Sequence, residues 1–181
     1  DNDTALISSY TKKLIINTDL LVEGVHFNSK TTSPEDIGWK SITSNFSDLA
    51  SSGVEEIVGV TVGLITPPST SWQWVNSVYQ GMGNALNRYG GKLIGGDISR
   101  GGEKVLSITA LGTLGPLDLQ RGNAQPGDYL VASGHHGLSR LGLALLLNEP
   151  LTTTTKLTEE LKTKAIQCHQ KPTPPIDSLK K

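Results

Sequence analysis

Short apolar, β-branched runs alternate with two helix-patterned segments over the first 113 residues, and few folds accommodate that alternation. Runs typical of strands occupy residues 13–17, 57–65, 92–94 and 105–113. Helices are predicted to begin at Ser33, whose hydroxyl can cap the first turn, and from Ser71. The order β-α-β-α-β-β predicts an α/β (α+β) protein, with a mixed sheet and helices packed on one face.

The first predicted helix carries its own start and stop signals. Residues 33–36 (SPED) supply a cap, a proline for the first helical position and two acids for the first turn, and Gly53 ends the helix. Apolar residues recur on one face, and Asp48 is predicted to lie roughly opposite them, together with Ser41 and Ser44. Asp48 is also close to the helix C-terminus, where its charge opposes the helix dipole unless a cation is near.

Gly115-Pro116 marks a predicted boundary between an N-terminal domain, residues 1–115, and a second α/β domain that starts within residues 116–181. We predict a strand at 129–132, a buried helix at 138–147, a surface linker at 152–155 and a last helix from 158. The chain begins without methionine and stops just after a proline-rich segment. We therefore expect a fragment, or the ordered part of a longer protein, with a truncated second domain.

Composition excludes several classes of protein. Hydrophobic residues make up 36% of the chain, which is enough for a core, and the single Cys168 excludes a disulfide scaffold and a multi-cysteine zinc site. Sixteen Lys and Arg against 17 Asp and Glu leave no basic surplus for nucleic acid or anionic lipid. No apolar run approaches the ~20 residues of a membrane span. We expect a soluble, cytoplasmic protein.

Four acids are candidate metal ligands. Asp19 is predicted to lie just past the first strand and Asp97 just past a central strand, behind Gly95-Gly96, while Asp48 and Asp3 supply two further carboxylates. Such oxygen ligands favour Mg²⁺, which normally completes its shell with substrate phosphates. Each acid also has a simpler interpretation as a turn, cap or surface residue, and both interpretations stay open at this point.

Two further residues are candidates for binding an anionic substrate. His26 follows Asp19 by seven residues, and Arg121 lies just past the predicted domain boundary. The alternatives are a partly buried histidine satisfied by the backbone and an ordinary surface arginine.

Five segments resemble, in order, the signatures of the thiamine-monophosphate kinase family, a branch of the aminoimidazole ribonucleotide synthetase-related superfamily. They are residues 18–27 (TDLLVEGVHF), 33–40 (SPEDIGWK), 45–50 (NFSDLA), 93–97 (LIGGD) and 121–128 (RGNAQPGD). The segment ending in His26-Phe27 separates this family from aminoimidazole ribonucleotide synthetase, selenophosphate synthetase and a hydrogenase-maturation protein. The likeness extends from Asp3 to about Pro174.

The resemblance implies transfer of the γ-phosphoryl group of ATP to thiamine monophosphate, giving thiamine diphosphate and ADP, with several Mg²⁺ ions bridging the phosphates. It implies an N-terminal domain that binds ATP and Mg²⁺ and pairs with a second copy, so that a homodimer forms and the active sites lie in clefts involving the interface. No covalent nucleophile or general base is implied, because the acceptor phosphate is already ionised.

The resemblance also implies a role for each site residue. The metal ligands are Asp3, Asn17, Thr18, Asp19, Asp48 and Asp97. ATP is contacted by Tyr79, Gly96, Asp97 and Arg121, and thiamine monophosphate by His26.

The sequence departs from the family pattern at three places. Asn2 stands where the family has an acid, Leu138 replaces an acid in the second domain, and Pro175 replaces an arginine. Because the family's C-terminal domain supplies further acids, we do not expect these 181 residues alone to turn over. Two alternatives are another ATP-using member of the superfamily with a different acceptor, and a non-catalytic nucleotide-binding or dimerisation module.

Overall fold

The computed structural model describes residues 11–134, 136–150, 152 and 156–176. A four-stranded mixed sheet lies at its centre, with the strand order β1-β4-β2-β3. The strands are β1 (Leu14–Val22), β2 (Val54–Thr66), β3 (Leu93–Arg100) and β4 (Val105–Leu114). Strand β4 is antiparallel to both of its neighbours, whereas β2 and β3 are parallel. The predicted mixed sheet is therefore confirmed.

Four α-helices and one 3₁₀ turn complete the described elements. They are α1 (Pro34–Ser51), α2 (Trp72–Tyr89), the 3₁₀ turn (Arg121–Asn123), α3 (Leu138–Leu146) and α4 (Glu159–Gln170). The predicted N-cap is confirmed, since the Ser33 Oγ accepts from the Asp36 N–H at 3.1 Å. The structure also shows that the Ser71 Oγ caps α2, accepting from the Trp74 N–H at 3.2 Å.

Helix α1 covers one face of the sheet and packs against β1, β4 and β2, while α2 packs on α1. Ile42 and Phe46 of α1 are completely buried between the layers, and burial of each contributes about 1.5–3 kcal/mol. Gly38 and Gly81 allow the two helices to cross closely, because a Cβ at either position would collide with a backbone carbonyl of the other helix. This layer holds α1, and therefore Asp48, in place.

No described helix covers the opposite face of the sheet. Successive side chains of a strand point to opposite faces, so β1 places Leu21 in the core and leaves Ile16 (68% exposed) and Leu20 (54% exposed) in solvent. Ile65 of β2 is exposed on this same face, which we call the open face of the sheet.

Strands β1 and β3 are longer than their apolar runs predicted. Asp19 lies inside β1, paired with Ile108, and Asp97 lies inside β3, paired with Gly63. The prediction that both acids follow the ends of strands, with Asp97 after a central one, is therefore wrong, and β3 is an edge strand. A strand extends as far as its partner offers backbone hydrogen bonds, whatever the polarity of its side chains.

The part of the chain after β4 contains two further corrections. Residues 129–132 form no described strand and lie fully in solvent, with Leu130 101% exposed, because no described strand pairs with them. Helix α3 is present as predicted, but only Gly142 and Ala144 are buried in it. The predicted linker at 152–155 falls mostly outside the described residues.

The end of the described chain returns to the first layer. The last helix starts as predicted, and the Thr158 Oγ1 caps it, accepting from the Leu161 N–H at 3.2 Å. The Trp39 Nε1–H of α1 donates to the Pro172 carbonyl at 2.7 Å, and Ile176 is fully buried in the main core. The boundary predicted near residue 115 remains a prediction. Among the described residues, no helix is both long enough and apolar enough to cross a bilayer.

Candidate functional site

A polar cluster lies where the start of β1 passes under the end of α1. Asn17 and Asp19 share one face of β1 because they are two residues apart. The Asn17 Nδ2 donates to the Asn45 Oδ1 at 3.0 Å and, more weakly, to the Asp48 Oδ2 at 3.4 Å. We call Asn17, Asp19 and Asp48 the acidic cluster.

The electrostatics of the acidic cluster favour a cation. Partial burial raises the pKa of the Asp19 carboxyl, the negative charge of Asp48 raises it further, and His26 opposes the rise. The Asn17 Oδ1 is buried and has no hydrogen-bond partner among the described residues. The cluster therefore combines two carboxylates that oppose each other with a carbonyl oxygen that lacks a donor.

The structure corrects one detail of α1. Ser41 is completely buried and its Oγ donates to the Gly38 carbonyl at 2.8 Å, so it does not share the exposed face of Asp48.

Asn45 is a site residue to which sequence reasoning assigned no role. It is completely buried, its Nδ2 donates to the Ser41 carbonyl at 2.9 Å, and its Oδ1 orients Asn17. The sequence feature that could have indicated Asn45 is its position three residues before Asp48, which places the two side chains next to each other on the helix surface.

Thr18 and Asp97 lie on the open face, away from the acidic cluster. The hydroxyls of Thr18 and Thr109 are 2.8 Å apart, and Asp97 accepts from the Ser99 Oγ at 3.3 Å. Strands β1 and β3 are separated by two others, so three spacings, or about 14 Å, lie between them. Over the described part of the chain, no three His, Cys, Asp or Glu side chains are close enough to hold one metal ion.

Three of the predicted ATP contacts share a shallow groove at the β3 edge. Tyr79, Gly96 and Asp97 line this cavity of about 650 Å³, and burial raises the pKa of the Tyr79 hydroxyl. Gly96 has a packing reason as well, since a Cβ there would collide with the Val62 carbonyl oxygen of β2. The close approach of the two parallel strands thus requires glycine independently of any phosphate.

Arg121, the fourth predicted ATP contact, lines a different cavity. Arg121 and Asp48 both line a cleft of about 640 Å³ between the end of α1 and the 3₁₀ turn. Arg121 is the basic residue among those that line this cleft, and the last turn of α1 contains no basic residue. The remaining predicted ligand, Asp3, lies outside the described residues.

His26 lies in a tight turn directly after β1. Its Nδ1 accepts from the Val22 N–H at 3.0 Å, and its side chain is exposed. The turn thus places an imidazole close enough to Asp19 to influence the pKa of that carboxyl.

The sheet, its helical layer and the motif-bearing strands define one class of protein. The chain belongs to the family described as AIR synthase related protein, N-terminal domain, which matches residues 1–114.

Within this class the chain is similar to thiamine-monophosphate kinases. It is 61% identical to the thiamine-monophosphate kinase of Prochlorococcus marinus over 99% of this chain and 54% of that protein. The crystal structure of thiamine monophosphate kinase from Aquifex aeolicus superposes with a TM-score of 0.82 at 33% identity, over 96% of this chain and 56% of that one. A structure of AaThiL complexed with AMPPCP and TMP superposes with a TM-score of 0.81 at 34% sequence identity, over 98% of this chain and 55% of that one. The chain spans about half the length of these proteins.

Proposed function

We propose that this chain provides the nucleotide- and metal-binding half of a thiamine-monophosphate kinase, an ATP-dependent phosphotransferase of the cytoplasm. The observation that carries the proposal is the 61% identity to the Prochlorococcus marinus enzyme along nearly the whole chain. The fold supports it, because a similar structure at 34% identity is complexed with AMPPCP and TMP. ATP and thiamine monophosphate are the proposed substrates.

The donor atoms of the acidic cluster fit Mg²⁺. The Asn17 Oδ1 is a buried oxygen without a donor, and Asp19 and Asp48 offer two carboxylates whose charges repel each other. Hard oxygen ligands of this kind suit Mg²⁺ better than zinc or copper. When bound, the ion would neutralise phosphate charge and hold the reacting groups in line. Asp3, Thr18 and Asp97 are further proposed ligands, of which Asp3 lies outside the described residues.

The residues of this chain would position phosphates rather than form a covalent intermediate. Arg121 lines the same cleft as Asp48 and is proposed to contact ATP. Tyr79, Gly96 and Asp97 form the proposed nucleotide groove at the β3 edge, and His26 is proposed to contact thiamine monophosphate. The attacking phosphate oxygen is already ionised near neutral pH, so no general base is required.

The open face of the sheet supports the proposal of a homodimer. The acidic cluster and Asp97 lie on opposite faces of one sheet, so pairing through the open face would bring Asp97, and not the acidic cluster, to the interface. The open face exposes Ile16, Leu20 and Ile65, the kind of apolar surface that marks an interface. We propose that two copies pair through this face and that each nucleotide site lies in a cleft next to the interface.

The function is tested in a hybrid enzyme, because the chain spans 54% of the Prochlorococcus marinus kinase. The matching half of that enzyme is replaced by this chain, and formation of thiamine diphosphate from ATP and thiamine monophosphate is measured with Mg²⁺ present. We expect turnover. A folded hybrid that consumes ATP with another acceptor but leaves thiamine monophosphate unchanged would contradict the proposal.

Asp48→Asn in the hybrid tests the acidic cluster. We expect kcat to fall at least ~10²-fold, as loss of a charge contact to the transition state implies. Glu160→Gln, which removes one charge from the exposed surface of α4, is the control and should leave kcat unchanged. Unchanged turnover in Asp48→Asn would remove this residue from the site.

A further inference from the structure

The turn that carries His26 is a small, heavily bonded structure at the edge of the sheet. The Gly24 N–H donates to the Phe27 carbonyl at 2.8 Å, and the His26 N–H to the Val22 carbonyl at 2.9 Å. Gly24 has a φ of +83°, which favours glycine, and Phe27 is buried in the main core. The backbone of the turn is therefore held at both ends.

The hydrogen bond to His26 determines which ring nitrogen carries the proton. Strand β1 is an edge strand, and the Glu23 N–H bonds to the Lys104 carbonyl next to β4 at 2.9 Å. The N–H of the preceding residue, Val22, therefore points to the free edge, where the His26 Nδ1 accepts it at 3.0 Å. A backbone N–H can only donate, so Nδ1 must be the unprotonated nitrogen and the neutral ring carries its proton on Nε2.

An ion pair fixes the same turn from the other side. The Lys104 Nζ donates to both carboxylate oxygens of Glu23, at 2.8 and 2.9 Å, and lies 5.4 Å from the centre of the Trp74 ring. The side chains of Lys104 and Glu23 are only 20% and 30% exposed, so solvent screens the pair less than an ordinary surface pair. Lys104 thereby connects the turn after β1 and the first turn of α2 to the segment that leads into β4.

We propose that Glu23 and Lys104, packed beneath Trp74, are positioning residues that keep His26 in its Nε2–H tautomer, so that it offers a hydrogen-bond donor to a phosphate oxygen of the substrate. The identity of that substrate rests on the function proposed above, whereas the tautomer rests on this chain alone. A neutral donor suits a site that already gathers cations, because it recognises the phosphate without adding charge.

Nitrogen NMR of the isotope-labelled chain tests the tautomer directly, with a His26→Gln sample to assign the ring. We expect the His26 Nδ1 to resonate as an unprotonated nitrogen and Nε2 as a protonated one. The opposite assignment, or an average of the two tautomers in the unsubstituted chain, would overturn the inference whether or not the hybrid enzyme is a kinase.

Two substitutions test the positioning role. Glu23→Gln and Lys104→Met should each move both His26 nitrogens towards averaged tautomers, whereas Lys104→Arg, which retains the cation, should not. In the hybrid enzyme the first two should raise KM for thiamine monophosphate about tenfold with kcat little changed, the effect of losing one bond to a charged group. Glu149→Gln, which breaks the 2.8 Å pair with Arg140, is the control.

The outcomes separate the two proposals. An unaltered tautomer in both Glu23→Gln and Lys104→Met would show that the ion pair does not position His26. The hybrid enzyme could lack kinase activity while His26 shows the expected tautomer and loses it in Glu23→Gln and Lys104→Met. That result would contradict the proposed function and still support the positioning role.

Discussion

Gly81→Ala should destabilise the protein through the crossing of α1 and α2. A Cβ at this position would collide with the Glu35 carbonyl and approach the Trp39 backbone nitrogen to 2.9 Å, and backbone atoms cannot move aside as the end of a side chain can. Overpacking of this kind costs up to about 3 kcal/mol, and the better helix propensity of alanine returns about 1 kcal/mol. We expect a net loss of about 2 kcal/mol in the free energy of unfolding.

The second glycine of the same helix provides the control. A Cβ added at Gly83 would meet no atom within 4 Å, so Gly83→Ala should gain about 0.5–1 kcal/mol from propensity alone. Thermal unfolding followed by circular dichroism measures both variants. At about 2–4 °C per kcal/mol for a chain of this size, Gly81→Ala should lower Tm by about 4–8 °C while Gly83→Ala raises it.

The result that would refute this reasoning is an unchanged or raised Tm in Gly81→Ala. Such a result would mean that α2 can move away from α1 without cost.

Two further predictions concern the acidic cluster and the open face. The pKa of Asp19 is raised in the folded state, so its stabilising contribution is present below the unfolded pKa of about 4 and is lost as pH rises through the folded pKa. Asp19→Asn should therefore raise Tm at pH 7 in metal-free buffer and not at low pH. Mg²⁺ should raise the Tm of the unsubstituted chain but not that of the variant. If the variant and the unsubstituted chain have the same Tm at pH 7 as well as at low pH, this prediction is wrong. Ile16→Lys should convert the proposed dimer to a monomer in light scattering, whereas Leu147→Lys, at an exposed position outside the sheet, should not; a monomeric unsubstituted chain would refute the dimer.

Local signals predicted the element order and the helix starts well. Ser33 caps its helix as expected because a cap depends on residues three positions apart, which the sequence displays directly. The ends of β1 and β3 were predicted poorly, since the apolar runs stop before the strands do. Pairing with a neighbouring strand, which is a non-local interaction, decides where a strand ends.

The same distinction applies to the candidate site. Motif residues such as Asp19, Asp48, Asp97 and Arg121 could be selected from the sequence, because carboxylates and glycines in those contexts suit metal and phosphate chemistry. Which of these residues lie close together could not be predicted, because that depends on which face of the sheet each residue occupies. Register places Asp97 on the open face and leaves Asp19 beneath α1.

By itself, the amino-acid sequence determined the succession of strands and helices as far as β4, the Ser33 cap and the family likeness, all of which depend on residues near one another in the chain. The tertiary structure alone decided that Arg121 and Asp48 line one cleft, that the Asn17 Oδ1 lacks a donor and that Val22 donates its N–H to His26. These features arise from contacts between elements distant in sequence, or from the edge position of a strand, and no local pattern encodes either one.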